Sequence, residues 1–214
     1  MSALEWIDLG TMDYLAAWEL QRRMAAEALA RRPAPPLHRV LLVEHPRVYT
    51  LGKSGNEANL LVRDDAPLIR VDRGGDVTYH GPGQLVIYPI IDLASANIGV
   101  RAYVEWLEEV IIRLLARRGI TADRLPGAPG VWVDPRGDAR KICAIGIRCS
   151  RGVATHGLAL NVNTDLDDFK RVNPCGFVDK GVSSMARELG RDIPMEEIKA
   201  ETRAAFESLW NAWK

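Results

Sequence analysis

The stretch Lys141-Ile142-Cys143-Ala144-Ile145-Gly146-Ile147-Arg148-Cys149-Ser150-Arg151-Gly152-Val153-Ala154-Thr155-His156-Gly157-Leu158-Ala159-Leu160-Asn161-Val162 decides the fold. Its two halves, Lys141 to Arg148 and Val153 to Val162, are apolar and β-branched. The four residues between them, Cys149 to Gly152, have the composition of a turn, so the halves are predicted to pair antiparallel. Such a pair late in the chain does not suit strict strand–helix alternation and points to an α+β fold rather than a doubly wound one.

Working outward, His38 to Val43, Val48 to Leu51, Leu68 to Val71, Leu85 to Ile91 and Val131 to Val133 read as further strands, the last after a Pro- and Gly-rich connection from Leu125 to Gly130. Three helices are predicted. Met12 to Arg31 places Leu15, Trp18, Ala25 and Leu29 near one face, interrupted by Arg22, and stops before Pro33, Pro35 and Pro36. Val100 to Arg118 spaces Val100, Val104, Leu107, Ile111 and Leu114 at helical intervals, turns Glu105, Glu108 and Arg113 outward, and closes at Gly119. The last runs from Pro194 through Ile198, Ala205 and Leu209 to Trp213. A single domain over residues 1–214 is expected, with a mixed, largely antiparallel sheet flanked by helices.

Composition excludes several classes. Hydrophobic residues make up 47% and charged residues 26%, an ordinary globular balance. Lys plus Arg equals Asp plus Glu at 28 each, so no nucleic-acid partner is indicated. Glu5 and Asp8 near the start do not fit a secretory leader, and the apolar run Val86 to Ile91 is short and broken by Pro89, so no membrane span is expected. Three cysteines, Cys143, Cys149 and Cys175, read as free thiols in a reducing cytoplasm.

Three familiar motifs fail. Gly52-Lys53-Ser54 ends like a phosphate-binding loop, but Arg47 stands where that loop needs glycine. Gly81-Pro82-Gly83 has Val86 at the third glycine position of a dinucleotide fingerprint. Cys143, Cys149 and His156 lack the spacing of zinc ligands. Neither a metal nor a cofactor is predicted.

The candidate chemistry sits on Asn173-Pro174-Cys175-Gly176, downstream of the loop Arg73-Gly74-Gly75-Asp76-Val77-Thr78-Tyr79-His80-Gly81-Pro82-Gly83-Gln84. A thiol accepts an acyl group from another thioester at nearly level energy, with no need of ATP. Proline before and glycine after Cys175 imply a turn that presents it, whereas Cys143 lies between apolar neighbours in a strand and Cys149 in the hairpin turn. A populated thiolate needs a nearby base or cation, and Lys141, His80 and His156 are available. Lys141 is either a solvated strand-end lysine or a base in the same pocket as Cys175. Each histidine either holds a turn through the backbone or acts on substrate. For His80 that action would be orienting an acyl carbonyl; for His156 it would be a Cys-His dyad.

Three blocks in order make the chain resemble the lipoyl(octanoyl) transferase family of lipoate biosynthesis. They are Arg73-Gly74-Gly75 through His80-Gly81-Pro82-Gly83-Gln84; Lys141 through Ala144-Ile145-Gly146; and Thr155-His156-Gly157-Leu158-Ala159-Leu160-Asn161 continuing to Pro174-Cys175-Gly176. The resemblance spans nearly the whole chain and implies the fold shared by lipoate and biotin protein ligases. It implies that Cys175 carries the acyl group and Lys141 lowers its proton affinity. It also implies that Arg73, Gly74, Gly75, Asp76, Val77, Thr78, Tyr79, His80, Ala144, Ile145, Gly146, Gly157, Leu158 and Ala159 line a narrow slot for the acyl chain. The implied donor is octanoyl-acyl carrier protein. The implied acceptors are lipoyl domains of 2-oxoacid dehydrogenase E2 subunits and the glycine cleavage H protein. Arg140, Arg148 and Arg151 are expected to dock these acidic partners. Two rivals stay open: an ATP-dependent lipoate or biotin ligase on the same scaffold, which would not require Cys175, and a non-catalytic acyl-binding or carrier-docking protein.

Overall fold

The structure is a computed structural model that describes residues 3–62, 65–172 and 180–213. In chain order its elements are β1 (Leu4–Thr11), α1 (Tyr14–Ala30), β2 (His38–Glu44), β3 (Val48–Leu51), β4 (Leu68–Arg70), β5 (Val77–His80), β6 (Gln84–Asp92), α2 (Leu93–Ala96), α3 (Val100–Arg117), β7 (Ala122–Leu125), β8 (Ala128–Val133), β9 (Arg140–Ser150), β10 (Val153–Asn161), β11 (Gly181–Val182), α4 (Met185–Leu189) and α5 (Met195–Ala212). Among the described residues the main sheet has the order β1-β2-β6-β10-β9-β8-β7, with β11 on β9, and a smaller sheet has the order β4-β3-β5. The β9–β10 pair is antiparallel, with Gly146 opposite Gly157 and Ala144 opposite Ala159. Pairing is antiparallel from β2 across to β7, and parallel for β1 on β2, β11 on β9 and β4 on β3. The α+β expectation holds.

Alternation explains how the main sheet is buried on both faces. Val40, Leu42, Leu85 and Ile87 point to one side, where α3 and α5 close over them with Leu107, Ile111, Phe206 and Trp210. Leu41, Val43, Val86 and Tyr88 point to the other side, toward Ala17, Met24 and Ala28 of α1. Every residue of β6 is buried, which is why its sequence reads as a continuous apolar run.

Several local expectations are corrected. Helix α1 starts at Tyr14 because the Asp13 carboxylate caps it, accepting from the amides of Leu15 and Ala16. Its buried face is Tyr14, Ala17, Gln21, Met24 and Ala28, whereas Leu15 is 52% exposed. The polar Gln21 in that stripe hides the true face from a hydrophobicity pattern. The hairpin turn is tighter than expected: only Arg151 (φ +50°) and Gly152 (φ +82°) lie between β9 and β10, so Cys149 belongs to the strand. The Gly-rich loop contains a strand, β5. Edge strand β1 has no counterpart in the sequence reading, and of the connection from Leu125 to Gly130 only Pro126 and Gly127 lie between strands β7 and β8.

Candidate active site

A cavity opens on the α1 face of the main sheet, between β6, β10 and β9 on one side and β5 of the small sheet on the other. Its volume, counted out into the open solvent at the mouth, is about 760 Å³. Of the residues expected to line the slot, Arg73, Gly75, Asp76, Val77, Thr78, His80, Ala144, Ile145, Gly146, Gly157, Leu158 and Ala159 line this cavity, as does Lys141. Gly74 and Tyr79 are absent from the lining. Tyr79 packs into the small-sheet cluster with Tyr49 and Phe169, and its hydroxyl donates to the Asp168 carboxylate at 2.6 Å. The Gly74 amide is committed to the Ile147 carbonyl at 2.9 Å.

The glycines serve the scaffold as much as any ligand. A Cβ on Gly157 would lie 2.2 Å from the Ile87 carbonyl oxygen and 2.7 Å from Pro89 Cδ, so this residue lets β10 lie against β6. A Cβ on Gly146 would come within 3.1 Å of both Arg73 Cδ and the Gly74 carbonyl. Arg73 is a buried clamp that donates to the Thr50 carbonyl at 2.8 Å, Thr50 Oγ1 at 2.9 Å and the Gly74 carbonyl at 2.9 Å. Asp76 staples the neighbouring loop by accepting from the amides of Asn56 and Val77 and from the Asn59 side chain.

Lys141 is buried, not a solvated strand-end residue. Its ammonium lies 4.6 Å from the Trp132 ring centroid, and its backbone pairs with Val182 of β11. Cys143 is fully buried, and desolvation raises its thiol well above the usual range, as befits a packing residue. Cys149 is exposed. Cys175 lies outside the described residues. The nearest cavity-lining residues on either side of it in sequence are Phe169 and Val182.

At the other end of the cavity stands His156, held by groups from other segments. Lys141 is six residues along β9 from Ile147, the partner of His156, so at about 3.3 Å per residue the backbone ends of the cavity are roughly 20 Å apart. His156 takes a left-handed backbone (φ +56°) in mid-strand. Gln21 of α1 accepts its amide hydrogen at 2.8 Å, where the facing stretch of β6 contains Pro89. Its ring Nε2 bonds Asp72 at 2.8 Å, and Arg148 pairs with the other carboxylate oxygen at 3.2 Å. Burial lowers the His156 pKa despite Asp72. Burial works to raise that of Asp72, but the His156 bond and the Arg148 and Arg22 charges hold it below the ordinary range. His80 Nδ1 bonds Gln84 Oε1 at 2.8 Å; burial, with His45 nearby, pushes its pKa well down. Gln84 in turn donates to Asn161 Oδ1 at 2.9 Å. Tyr14 and Tyr88 also line the cavity, and neither was singled out by sequence.

The arginines expected to dock partners are partly engaged internally. Arg140 pairs with Asp138 and Glu188, and Arg148 with Asp72, while Arg151 is exposed. No group of three His, Cys, Asp or Glu side chains suited to a metal occurs among the described residues. Nor is any described helix long and apolar enough to cross a membrane.

Residues 13–207 match the family model described as "Lipoyl protein ligase A/B catalytic domain". The chain is 48% identical to an octanoyltransferase of Bacteroides thetaiotaomicron, over 97% of this chain and 96% of that one. It is 47% identical to an octanoyltransferase of Chloroflexus aggregans, over 92% and 90%. In fold it is similar to a bipartite lipoate protein ligase from Thermoplasma acidophilum, with a TM-score of 0.72 at 17% identity, covering 99% of this chain and 85% of that one. A biotin protein ligase from Aquifex aeolicus gives a TM-score of 0.53 at 11% identity, over 97% and 68%. With a family match over nearly its whole length and near-half identity to curated relatives, the chain belongs to the lipoyl protein ligase A/B catalytic-domain family, among its octanoyltransferases.

Proposed function

We propose that the protein moves an octanoyl group from octanoyl-acyl carrier protein to a lysine of a lipoyl domain, through a thioester on Cys175, in the cytoplasm. The observation that carries this reading is the placement of Lys141: buried, lining a cavity walled by small residues, and paired in register with Val182, which follows the Cys175 segment. Ala144, Gly146, Gly157 and Ala159 contribute no bulky side chain to the lining. Each methylene buried there contributes about 0.8 kcal/mol.

Lys141 Nζ takes the proton from Cys175 Sγ, and the thiolate attacks the carrier thioester. The carbon–sulfur bond to the carrier breaks, and the carrier thiolate leaves with a proton returned from Lys141. Backbone amides of the Gly-rich or Cys175 loops hold the oxyanion, those of Gly74, Val77 and Gly83 excepted because they are already bonded. The ε-amine of the acceptor lysine then attacks the acyl-Cys175 thioester, Lys141 accepts its proton, and the amide forms as the Cys175 thiolate departs. Thioester-to-amide exchange makes this half strongly downhill. Lipoyl domains of 2-oxoacid dehydrogenase E2 subunits and the glycine cleavage H protein are the acceptors on this reading.

Octanoyl-carrier protein and a lipoyl domain, mixed with the enzyme in the absence of ATP, should give the octanoyl-lysine product, and Cys175→Ala should abolish it. A strict ATP requirement, with activity surviving Cys175→Ala, would establish a ligase instead. Retention of the octanoyl group without turnover would establish an acyl-binding protein.

A further inference from the structure

Two side-chain amides stand at the Lys141 end of the cavity, on strands that are otherwise largely apolar. Gln84 opens β6 and Asn161 closes β10; they face each other in register, line the cavity and are buried. Leu160 pairs with Cys143, so Asn161 lies one strand over from the start of β9, where Lys141 stands. Backbone carbonyls fix which way each amide points. The Asn161 nitrogen donates to the Ser183 carbonyl at 3.0 Å, which turns its Oδ1 toward Gln84. The Gln84 nitrogen donates to the Tyr79 carbonyl at 3.3 Å and to Asn161 Oδ1 at 2.9 Å, so Gln84 Oε1 accepts from His80 Nδ1 at 2.8 Å. With the proton on Nδ1, the neutral His80 ring accepts at Nε2, and the Thr50 hydroxyl faces it at 3.5 Å. Thr50 Oγ1 itself accepts from Arg73 at 2.9 Å.

Every link therefore donates in one sense, from Arg73 through Thr50, His80, Gln84 and Asn161 to Ser183. The last residue carries the chain to β9: the Ser183 amide donates to the Lys141 carbonyl at 2.9 Å, and the Gly181 amide to the Ala139 carbonyl at 3.0 Å. Strand β11 is only 2 residues long, below the usual length of a strand, and the Asn161 side chain ties its end to β10. A buried polar chain with its partners in place selects one arrangement, where an apolar pair of the same size would pack in several. We propose that Asn161 and Gln84 are positioning residues of the acyl transfer: the one-way chain they form with His80 holds β11, the strand that follows Cys175 in sequence, in register on Lys141. The proposal rests on the acyl-transfer reading above and adds residues to it. It gives His80 a place in this chain rather than on the acyl carbonyl, since both ring nitrogens are engaged.

Asn161→Leu keeps the approximate size of the side chain and removes its bonds to Gln84 and Ser183. A misplacement of about 1 Å costs up to about a hundredfold in rate, so kcat should fall by about tenfold to a hundredfold while KM for octanoyl-carrier protein stays within about twofold. The pH profile of Cys175 alkylation should move upward in the same variant. Gln84→Met should move both quantities the same way, and the double variant should lose little more than Asn161→Leu alone, as members of one chain do. An Asn161→Leu enzyme with wild-type kcat and an unmoved alkylation profile overturns the proposal, as does a loss confined to KM. If the variants do not fold, the intact enzyme still decides: the ring nitrogen resonances of His80 should show the proton on Nδ1, and a proton on Nε2 breaks the chain and overturns it. Octanoyl transfer by the intact enzyme is run alongside. Its absence defeats the acyl-transfer reading, whereas the alkylation profile, which needs no carrier protein, still tests the positioning role.

Discussion

All four histidines of the chain, His38, His45, His80 and His156, are buried, and burial lowers the pKa of each. Each also has a bonding reason to stay neutral. His38 Nδ1 accepts the Asp92 amide at 3.3 Å, His45 Nε2 accepts from Tyr88, His80 is enclosed beside Arg73, and His156 has one ring nitrogen unpartnered. The perturbation is a fall in pH from 7.5 to 5.5. A folded-state pKa below the unfolded value of about 6.5 means stability that is complete above that pH and lost as the pH falls. At pH 5.5 an unfolded imidazole gains about 1.4 kcal/mol from protonation that a histidine kept neutral in the fold does not. Four such groups set a ceiling of roughly 5.6 kcal/mol, comparable with the whole stability of a modest domain. Urea denaturation at half-unit pH steps reads this directly, as a stability slope between pH 6.5 and 5.5 corresponding to uptake of several protons on unfolding. His80→Gln should remove about one proton from that slope. A stability flat over this interval, or ring resonances titrating near pH 6.5, would refute the reasoning.

Lys141→Met keeps the aliphatic stem against Trp132 and Gly130 but removes the base, so acyl transfer should fall by about 10²–10⁴-fold while the melting temperature changes little. Its pH profile of Cys175 alkylation should move up toward that of an ordinary thiol, and an unchanged profile would separate the two residues functionally. Gly157→Ala places a methyl 2.2 Å from the Ile87 carbonyl oxygen, so β10 must part from β6. A loss of about 1–3 kcal/mol or more is expected in denaturant titration, and wild-type stability would contradict the close packing.

The β9–β10 hairpin, α3 and α5 were legible because their patterns are local: alternating or helical spacing bounded by Gly or Pro. Strand β1 was not, since its pairing with β2 is parallel and joins residues far apart in sequence, Leu4 to His38 and Asp8 to Leu42. The buried face of α1 was misplaced because Gln21, polar by composition, is there to receive the His156 amide. Most of the cavity lining was readable through the family resemblance, yet Tyr79 and Gly74 are engaged elsewhere, Tyr79 by Asp168 and Gly74 by the Ile147 carbonyl. The ring cluster beside the cavity was invisible as a unit. Tyr14, His45, His80, Tyr88 and His156 come from α1, the β2–β3 turn, β5, β6 and β10, and only folding assembles them.

The most direct measurement is mass-spectrometric peptide mapping of the enzyme quenched after mixing with octanoyl-carrier protein alone. An octanoyl thioester on the peptide containing Cys175, discharged when a lipoyl domain is added, is the expected result. An unmodified Cys175, or an adduct on Cys149 or Lys141 that the lipoyl domain fails to remove, would contradict it.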